Sequence, residues 1–398
     1  MKIAIFSDNF YPELSGITDS LLISSQELVK RGYQLLIVAP HYLPADYSKV
    51  GLSPTGRDFG PNIKVISLPA FPYPNSPNGQ GRMVVPMGFS YRVLKSFAPD
   101  LIHTHSPFGV GLEALLMSKI LGVPLIGTNH TPPSEFMAYS PIKTKWFTTL
   151  TLRYFAWYYN RCQLVTTPCQ SLLDEMMANG FYRQANVLPN PIDLTNFRPV
   201  ENIEIKVELK QRFGFSDKTI LYTGRLAEEK HIDVIIKALV LIKDKISGVM
   251  LVITGHGSAA ESLKKLVANL GLEKQVKFLG FVDSQTFPSV YQASDLFVIM
   301  STAESQSLSL MQAMASGLPV IGARARALPE YIDQTNGLVV TPGDEKNLAE
   351  AMSQIFSDKI QAQALGVGGV VSVKRFLPVK IVDRLEVLYN QSSCLMII

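Results

Sequence analysis

The chain has 398 residues, 47% of them hydrophobic and 18% charged, which is enough well-packing sequence for two domains. A net charge of +4 is too small to indicate nucleic acid, and the three cysteines Cys162, Cys169 and Cys394 have no metal-ligand spacing. An odd set of thiols fits a reducing compartment, the opening residues 1–8 are too short for a signal peptide, and no apolar run reaches the roughly 20 residues of a membrane span. These features predict a cytoplasmic protein, peripheral on the inner face of a membrane if it meets one.

Residues 2–6 read as a buried first strand, residues 7–16 as a loop and residues 17–31 as an amphipathic helix closed by Gly32; residues 34–39 are a second strand. That order begins a doubly wound parallel sheet. The loop lacks Gly-x-Gly-x-x-Gly, so an ordinary dinucleotide site is not supported. It offers Ser15-Gly16 at a helix start, either a plain helix entry or a place where backbone can approach a phosphate. Residues 40–86 are dense in Pro, Gly, Asn and Ser and are interrupted by one strand, 63–68, which predicts a long functional or mobile loop region. Residues 99–105 form a strand ending in His103 and His105 on one face. No Cys or carboxylate accompanies them at ligand spacing, which favours a structural or substrate-side role over a metal pair. Residues 124–130 form a strand ending in His130, and the carboxyl end of such a strand faces the ligand crevice.

Residues 141–161 combine Lys143, Lys145, Arg153 and Arg161 with seven aromatic side chains. Trp146, Leu150, Arg153 and Trp157 fall near one helical face, the composition of a surface that meets lipid headgroups. The segment reads also as an aromatic core helix with solvated cations. A strand at 163–167, a helix at 170–179 and a strand at 186–189 complete this half. Residues 201–210, charged and of low complexity, read as a surface segment.

The alternation then restarts. A strand at 219–223 leads to a loop with Arg225 and Lys230 and a helix at 232–243. Two cations across one short loop at a strand's carboxyl end suit a diphosphate. Strands at 249–254 and 276–280 follow, with Gly255-His256-Gly257 between them, then a helix at 287–294 and a strand at 295–300. The next loop carries Glu304, and a helix begins near Ser307 and stops at Gly317 and Pro319. The first amides of that helix, at Leu308 and Ser309, favour a diphosphate. Residues 366–371, Gly-Val-Gly-Gly-Val-Val, are poor helix, and 376–389 read as a terminal helix returning to the first domain.

In this order the motifs resemble the large family 4 group of retaining nucleotide-sugar glycosyltransferases with the GT-B fold, over about residues 3–350. The family's donor motif is Glu, seven residues, Glu, then Ala-Met-Ala-x-Gly-x-Pro-Val; Glu304 and residues 313–320 match it, and Gln312 stands in place of the second acid. Gly224-Arg225, Lys230 and Asp233 match a second motif, with His231 replacing its Gly. Asn190-Pro191-Ile192-Asp193 resembles the family's Asn-Gly-Ile-Asp, and Ser15-Gly16 its Gly-Gly. The run Glu304-Ser305-Gln306-Ser307-Leu308 is closest to members that glucosylate diacylglycerol.

The resemblance implies two Rossmann-like, doubly wound α/β domains facing a cleft: residues 1–197 on the acceptor side, joined by a helix at 376–398, and residues 198–375 for the nucleotide sugar. It implies that His130 and Glu304 hold the transferred sugar. Gly16, Arg225, Lys230 and the amides of Leu308 and Ser309 would take the diphosphate, Val282 the base and Gln312 the ribose. Departure of the nucleotide and attack from the same face would need neither metal nor cofactor, with UDP-glucose as co-substrate. The acceptor would be diacylglycerol or a related lipid at an anionic membrane surface met by Lys143, Lys145, Trp146, Arg153 and Trp157, with no nucleic acid as partner. Two alternatives stay open: a soluble sugar or polysaccharide acceptor, and a non-catalytic nucleotide-sugar binder, which the replacements at Gln312, Ser307 and Ser15 would suit.

Overall fold

A computed structural model describes residues 1–13, 15–50, 53, 59–73, 80–132 and 144–394. The chain divides into two compact units, Met1–Ile192 with Phe376–Ile398, and Asp193–Arg375.

The first unit contains β1 (Lys2–Phe6), β2 (Gln34–Pro40), β3 (Ile63–Leu68), β4 (Ala70–Pro72), β5 (Arg82–Val84), β6 (Leu101–Thr104), β7 (Leu125–Thr128), β8 (Leu164–Thr167) and β9 (Ala185–Val187). Seven of them form a sheet of order β3-β2-β1-β6-β7-β8-β9, whose described pairings are parallel. Its central strand is an apolar run because the sheet is covered on both faces there; Ile3, Ala4, Ile5 and Phe6 are all buried. The chain winds outward from β1 in one direction and from β6 in the other. The carboxyl ends of β1 and β6 therefore flank a switch point, where α/β sheets place ligands.

The second unit repeats the plan with β10 (Lys218–Thr223), β11 (Val249–Thr254), β12 (Val276–Gly280), β13 (Leu296–Ile299), β14 (Val320–Ala323) and β15 (Gly337–Val340), in the order β12-β11-β10-β13-β14-β15. Its switch point lies between β10 and β13, so the loop with Arg225 and the loop with Glu304 leave the sheet from adjacent strands.

The terminal helix Pro378–Cys394 belongs to the first unit. Ile381, Val382, Leu385 and Tyr389 enter its core with Leu21 and Leu28 of the helix Gly16–Lys30. Arg31 reinforces this contact, donating to Asp383 at 2.9 Å, Glu386 at 2.5 Å and Glu27 at 3.2 Å.

Two expectations are corrected, for residues 40–86 and 366–371, and the surface segment 201–210 is given its form. Residues 40–86 are more structured than a long loop: they contain a short helix, Pro44–Ser48, and the antiparallel pair β4–β5. The charged segment 201–210 belongs to a helix, Ile203–Phe213. Asn202 caps it by accepting from the Ile205 amide at 2.9 Å, Gly214 ends it in a left-handed conformation, and Lys206 and Lys210 both bind Asp295, at 2.7 and 2.5 Å. The glycine-rich 366–371 lies inside the helix Lys359–Val373. A Cβ on Gly366 would sit 2.2 Å from the carbonyl oxygen of Gly317, and one on Gly368 1.8 Å from that of Thr335. Close packing against the neighbouring backbone outweighs poor helix propensity here.

That competition sets the sign of one substitution. By propensity alone, Gly366→Ala would stabilise a helix by about 1 kcal/mol. The steric clash predicts the opposite: Gly366→Ala should destabilise the second unit by about 1–3 kcal/mol, read as a lower urea midpoint at unchanged slope.

Candidate functional site

In the first unit, three strands deliver polar side chains to one sheet edge. Asp8 follows β1; its Oδ1 accepts from the Val110 amide at 2.9 Å and its Oδ2 from Ser106 Oγ at 2.5 Å. It thus ties β1 to the start of the helix Gly109–Leu121, while burial pushes its carboxyl above the usual range. Three histidines form a buried cluster nearby. His103 Nδ1 lies 2.8 Å from the Tyr389 hydroxyl and its Nε2 2.7 Å from Thr128 Oγ1. His105 Nδ1 lies 2.8 Å from His130 Nε2, with the two rings nearly parallel at 12° and 5.1 Å apart. Burial pulls all three pKa values down, to about 3 for His103 and about 4 for His130, so the cluster is neutral at pH 7.

Ser15 is the N-cap of the helix Gly16–Lys30, with extended backbone at φ −150° and its Oγ accepting from the Thr18 amide at 3.2 Å. This position needs no positive φ, so serine serves it better than glycine. A Cβ at Gly16 would meet nothing within 4 Å, so no packing constraint demands glycine there.

In the second unit, a 3-10 turn, Glu228–Lys230, follows Arg225. Arg225 donates to Glu229 at 2.7 Å, and Lys230 donates to Glu304 at 2.7 Å. The latter pair is largely enclosed, with side chains 15% and 12% exposed. His231 occupies a left-handed conformation, φ 48°, where glycine would be unstrained, and its Nε2 lies 3.1 Å from Thr302 Oγ1 on the Glu304 loop. The glycine turn after β11 braces the same region. Leu226 N donates to His256 O at 2.8 Å, and a Cβ on Gly257 would lie 2.1 Å from Leu226 O. Glu304 is pinned through its carbonyl, which accepts from Ala327 N at 3.2 Å.

The helix Leu308–Ala315 begins behind Glu304 with Ser307 as N-cap, its Oγ accepting from Leu310 N at 3.3 Å. The amides of Leu308 and Ser309 have no intrahelical acceptor and can bind an anion. Gln312 is buried at 9% exposure; its Oε1 accepts from the Tyr291 hydroxyl at 2.9 Å, and that hydroxyl lies 2.8 Å from Thr223 Oγ1. Val282 is half-buried beside Phe281, which is exposed; Phe281 N donates to His256 Nε2 at 3.0 Å and the two rings stack at 11°.

Comparison with known proteins agrees with this architecture. Residues 15–196 match the family model described as Glycosyltransferase Family 4, and residues 206–369 that described as Glycosyl transferases group 1. The chain belongs to this glycosyltransferase family. It is 27% identical over 327 residues to an alpha-monoglucosyldiacylglycerol synthase of Streptococcus pneumoniae, covering 81% of this chain and 70% of the relative. A GDP-mannose-dependent alpha-mannosyltransferase of Corynebacterium glutamicum is 26% identical, with 90% of this chain and 81% of the relative covered. Among solved structures, Anabaena HepE in complex with UDP superposes with a TM-score of 0.78 at 21% identity, covering 98% of this chain and 100% of that one, and supports the GT-B fold.

Within this glycosyltransferase, the second sheet's switch point brings Arg225, Lys230 and Glu304 onto neighbouring loops and Gln312 onto the helix behind them. It also joins two residues that motif spacing treats separately, since Lys230 and Glu304 bind each other directly. In the first unit His130 is 6% exposed, and the residue that meets its Nε2 is His105. Trp146, Leu150, Arg153 and Trp157 share the exposed side of the helix Lys145–Tyr159, with Lys145 at its start, whereas Phe155, Tyr158 and Tyr159 are buried. The helix is thus half core and half surface, and the guanidinium of Arg161 lies 3.7 Å over the Trp157 ring. Lys143 lies outside the described residues. Sequence reasoning passed over Asp8, Thr223, His256 and Tyr291 as site residues. Asp8 at a strand's end was the available signal; Tyr291 gave none, because a tyrosine in an apolar helix reads as core.

Two outcomes follow from this geometry. Arg225→Ala and Lys230→Ala should each weaken binding of a nucleoside diphosphate about tenfold or more by calorimetry, with the fold retained, because each removes a charge-assisted bond. Equal titration of both variants and the parent would remove these residues from the site. Second, NMR should show the imidazoles of His103, His105 and His130 untitrated between pH 8 and 5. These folded-state pKa values lie below the unfolded value, so the stability they contribute is complete above about pH 6.5 and is lost as pH falls towards about 4.

Proposed function

We propose that this glycosyltransferase moves a hexose from a nucleotide diphosphate sugar, UDP-glucose foremost, to a lipid acceptor such as diacylglycerol, with retention of anomeric configuration. The observation that carries the reading is the cluster at the second sheet's switch point, where Lys230 pairs with Glu304, Arg225 lies on the same loop as Lys230, and a helix opens at Leu308 four residues after Glu304. Arg225, Lys230, Gly16 and the amides of Leu308 and Ser309 would neutralise the leaving diphosphate, the charge that develops in the transition state. Glu304 and His130 would hold the sugar, Val282 the base through backbone and Gln312 the ribose. In a retaining transfer of this kind the nucleotide departs and the acceptor attacks from the same face, its proton passing to the leaving phosphate.

The similarity to an alpha-monoglucosyldiacylglycerol synthase supports the lipid acceptor. HepE has also been solved with UDP-glucose, which supports that donor as the first to test. Lys145, Trp146, Arg153 and Trp157 offer a cationic, aromatic surface suited to anionic headgroups, and Lys143 would extend it. No helix among the described residues is long and apolar enough to cross a membrane. A peripheral position on the inner, cytoplasmic face of a membrane is part of this proposal, because such a surface would meet anionic headgroups there. The mannosyltransferase relative is as similar as the lipid glycosyltransferase, so GDP-mannose is tested beside UDP-glucose, and a soluble sugar is the alternative acceptor.

The deciding assay offers labelled UDP-glucose, UDP-galactose and GDP-mannose to vesicles with and without diacylglycerol, and to soluble sugars. The expected product is an α-glucosyl lipid. Vesicle binding should rise with anionic lipid, fall with salt, and weaken about fivefold in Lys145→Ala and again in Arg153→Ala, since each nearby cation is worth about 1 kcal/mol. Transfer only to a soluble sugar would establish that alternative acceptor, and nucleotide-sugar binding without any transfer would mark a non-catalytic protein.

A further inference from the structure

We infer that Tyr291 is a positioning residue that makes Gln312 a hydrogen-bond donor towards the ribose of the nucleotide sugar. The inference rests on the proposed reading of this loop and helix as the donor's site, and deepens it.

Three elements converge on one chain of bonds. Thr223 is the last residue of β10, Tyr291 lies in the helix Phe287–Gln292, and Gln312 lies in the helix Leu308–Ala315. A phenol has a single proton. Tyr291 donates that proton to Gln312 Oε1 at 2.9 Å, so at its other contact, 2.8 Å from Thr223 Oγ1, it must accept. The direction of the chain is thus Thr223 to Tyr291 to Gln312. Burial raises the Tyr291 phenol far above its usual pKa, so the proton is always present. The ring cannot swing away. Phe197 and Phe287 meet it edge-on at 5.5 and 5.2 Å, Phe297 stacks on it at 6.3 Å, and Tyr291 has no exposed surface.

A carboxamide whose oxygen is held inward presents its NH2 group elsewhere. The Gln312 amide nitrogen makes no hydrogen bond with the described residues, although the side chain is nine-tenths buried. Gln312 lies four residues after Leu308, one turn along the same helix face as the amides proposed for the diphosphate. In a nucleotide the ribose is the group next to the diphosphate. A carboxylate at this position could only accept from a ribose hydroxyl. Gln312, with its oxygen turned inward to Tyr291, presents its NH2 instead, and the hydroxyl that meets it accepts. An analogue whose ribose oxygen accepts but cannot donate should therefore keep the bond.

The test compares affinities of UDP, its 2′-deoxy and 3′-deoxy forms, and its 2′-O-methyl and 3′-O-methyl forms, with the GDP series replacing them if the parent prefers GDP. At one position, removing the oxygen should weaken binding to the parent about fivefold, the worth of one neutral hydrogen bond, and the methyl ether there should bind within about twofold of the unmodified nucleotide. In Gln312→Glu the methyl ether should bind no better than the deoxy form. In Tyr291→Phe the advantage of the ether over the deoxy form should collapse, whereas Thr223→Val, which leaves the phenol donating to Gln312, should retain it. A variant that lost only stability would shift its melting temperature without changing this ratio. If Tyr291→Phe does not fold, the comparison of parent with Gln312→Glu and Thr223→Val decides. The inference is overturned if neither deoxygenation matters, if the parent treats ether and deoxy forms alike, or if Tyr291→Phe keeps the parent's order. Absence of UDP and GDP binding to the parent would instead overturn the donor-site reading itself.

Discussion

The ion pair between Lys230 and Glu304 is the constraint on which the second unit's site depends. It joins the loop after β10 to the loop after β13, the two strands that flank the switch point. Both side chains are largely enclosed, so removing either would leave the other charge poorly solvated and without this partner. The flanking contacts serve the same junction: His231 reaches Thr302, Thr302 N donates to Glu229 O, and Ala327 N holds the Glu304 carbonyl. The pair also means that the cation and the acid neutralise each other before any ligand arrives. A diphosphate bound here, as proposed, would compete with a carboxylate for the same ammonium, and its affinity would measure a difference between two charged partners.

The first unit solves a different problem at its own sheet edge. His103, His105 and His130 are enclosed, and a buried imidazolium would be expensive to desolvate, so the rings stay neutral and hydrogen-bond one another and nearby hydroxyls. Tyr389 gives this arrangement a long-range component, because the terminal helix carries a side chain that fixes His103. The last turns of the chain thus complete an edge whose strands lie nearly 300 residues earlier.

The departures from the family's residues acquire local physical reasons. Ser15 replaces a glycine at a position with extended backbone and caps its helix. His231 replaces another where backbone is left-handed, and its ring bond to Thr302 offsets the strain. Ser307 caps the helix behind Glu304. Gln312 retains a hydrogen-bonded seat against Tyr291. Each replacement is accommodated by the fold around it.

Much of this was legible in the sequence. Apolar runs located β1, β10 and β11 to within a residue, because strands buried on both faces must be nearly continuously hydrophobic. The order of strand and helix, with the motif order, indicated two doubly wound units and placed the Arg225 and Glu304 loops at carboxyl ends. What the sequence did not contain was contact between distant segments. Glycine in a helix is unfavourable locally, so the helix through Gly366 and Gly368 became intelligible only once Gly317 and Thr335 were seen against it. Charged residues read as solvated until Lys206 and Lys210 were found on Asp295. Arg225 and Lys230 read as free cations, Tyr291 as plain core and His105 as a strand end, because pairing with Glu229, Glu304, Gln312 and His130 depends on side-chain direction at adjacent strand ends. Periodicity and turn chemistry are properties of neighbouring residues and survive in one dimension; the partner of a charge or a buried hydroxyl is fixed only when the sheet brings its strands together.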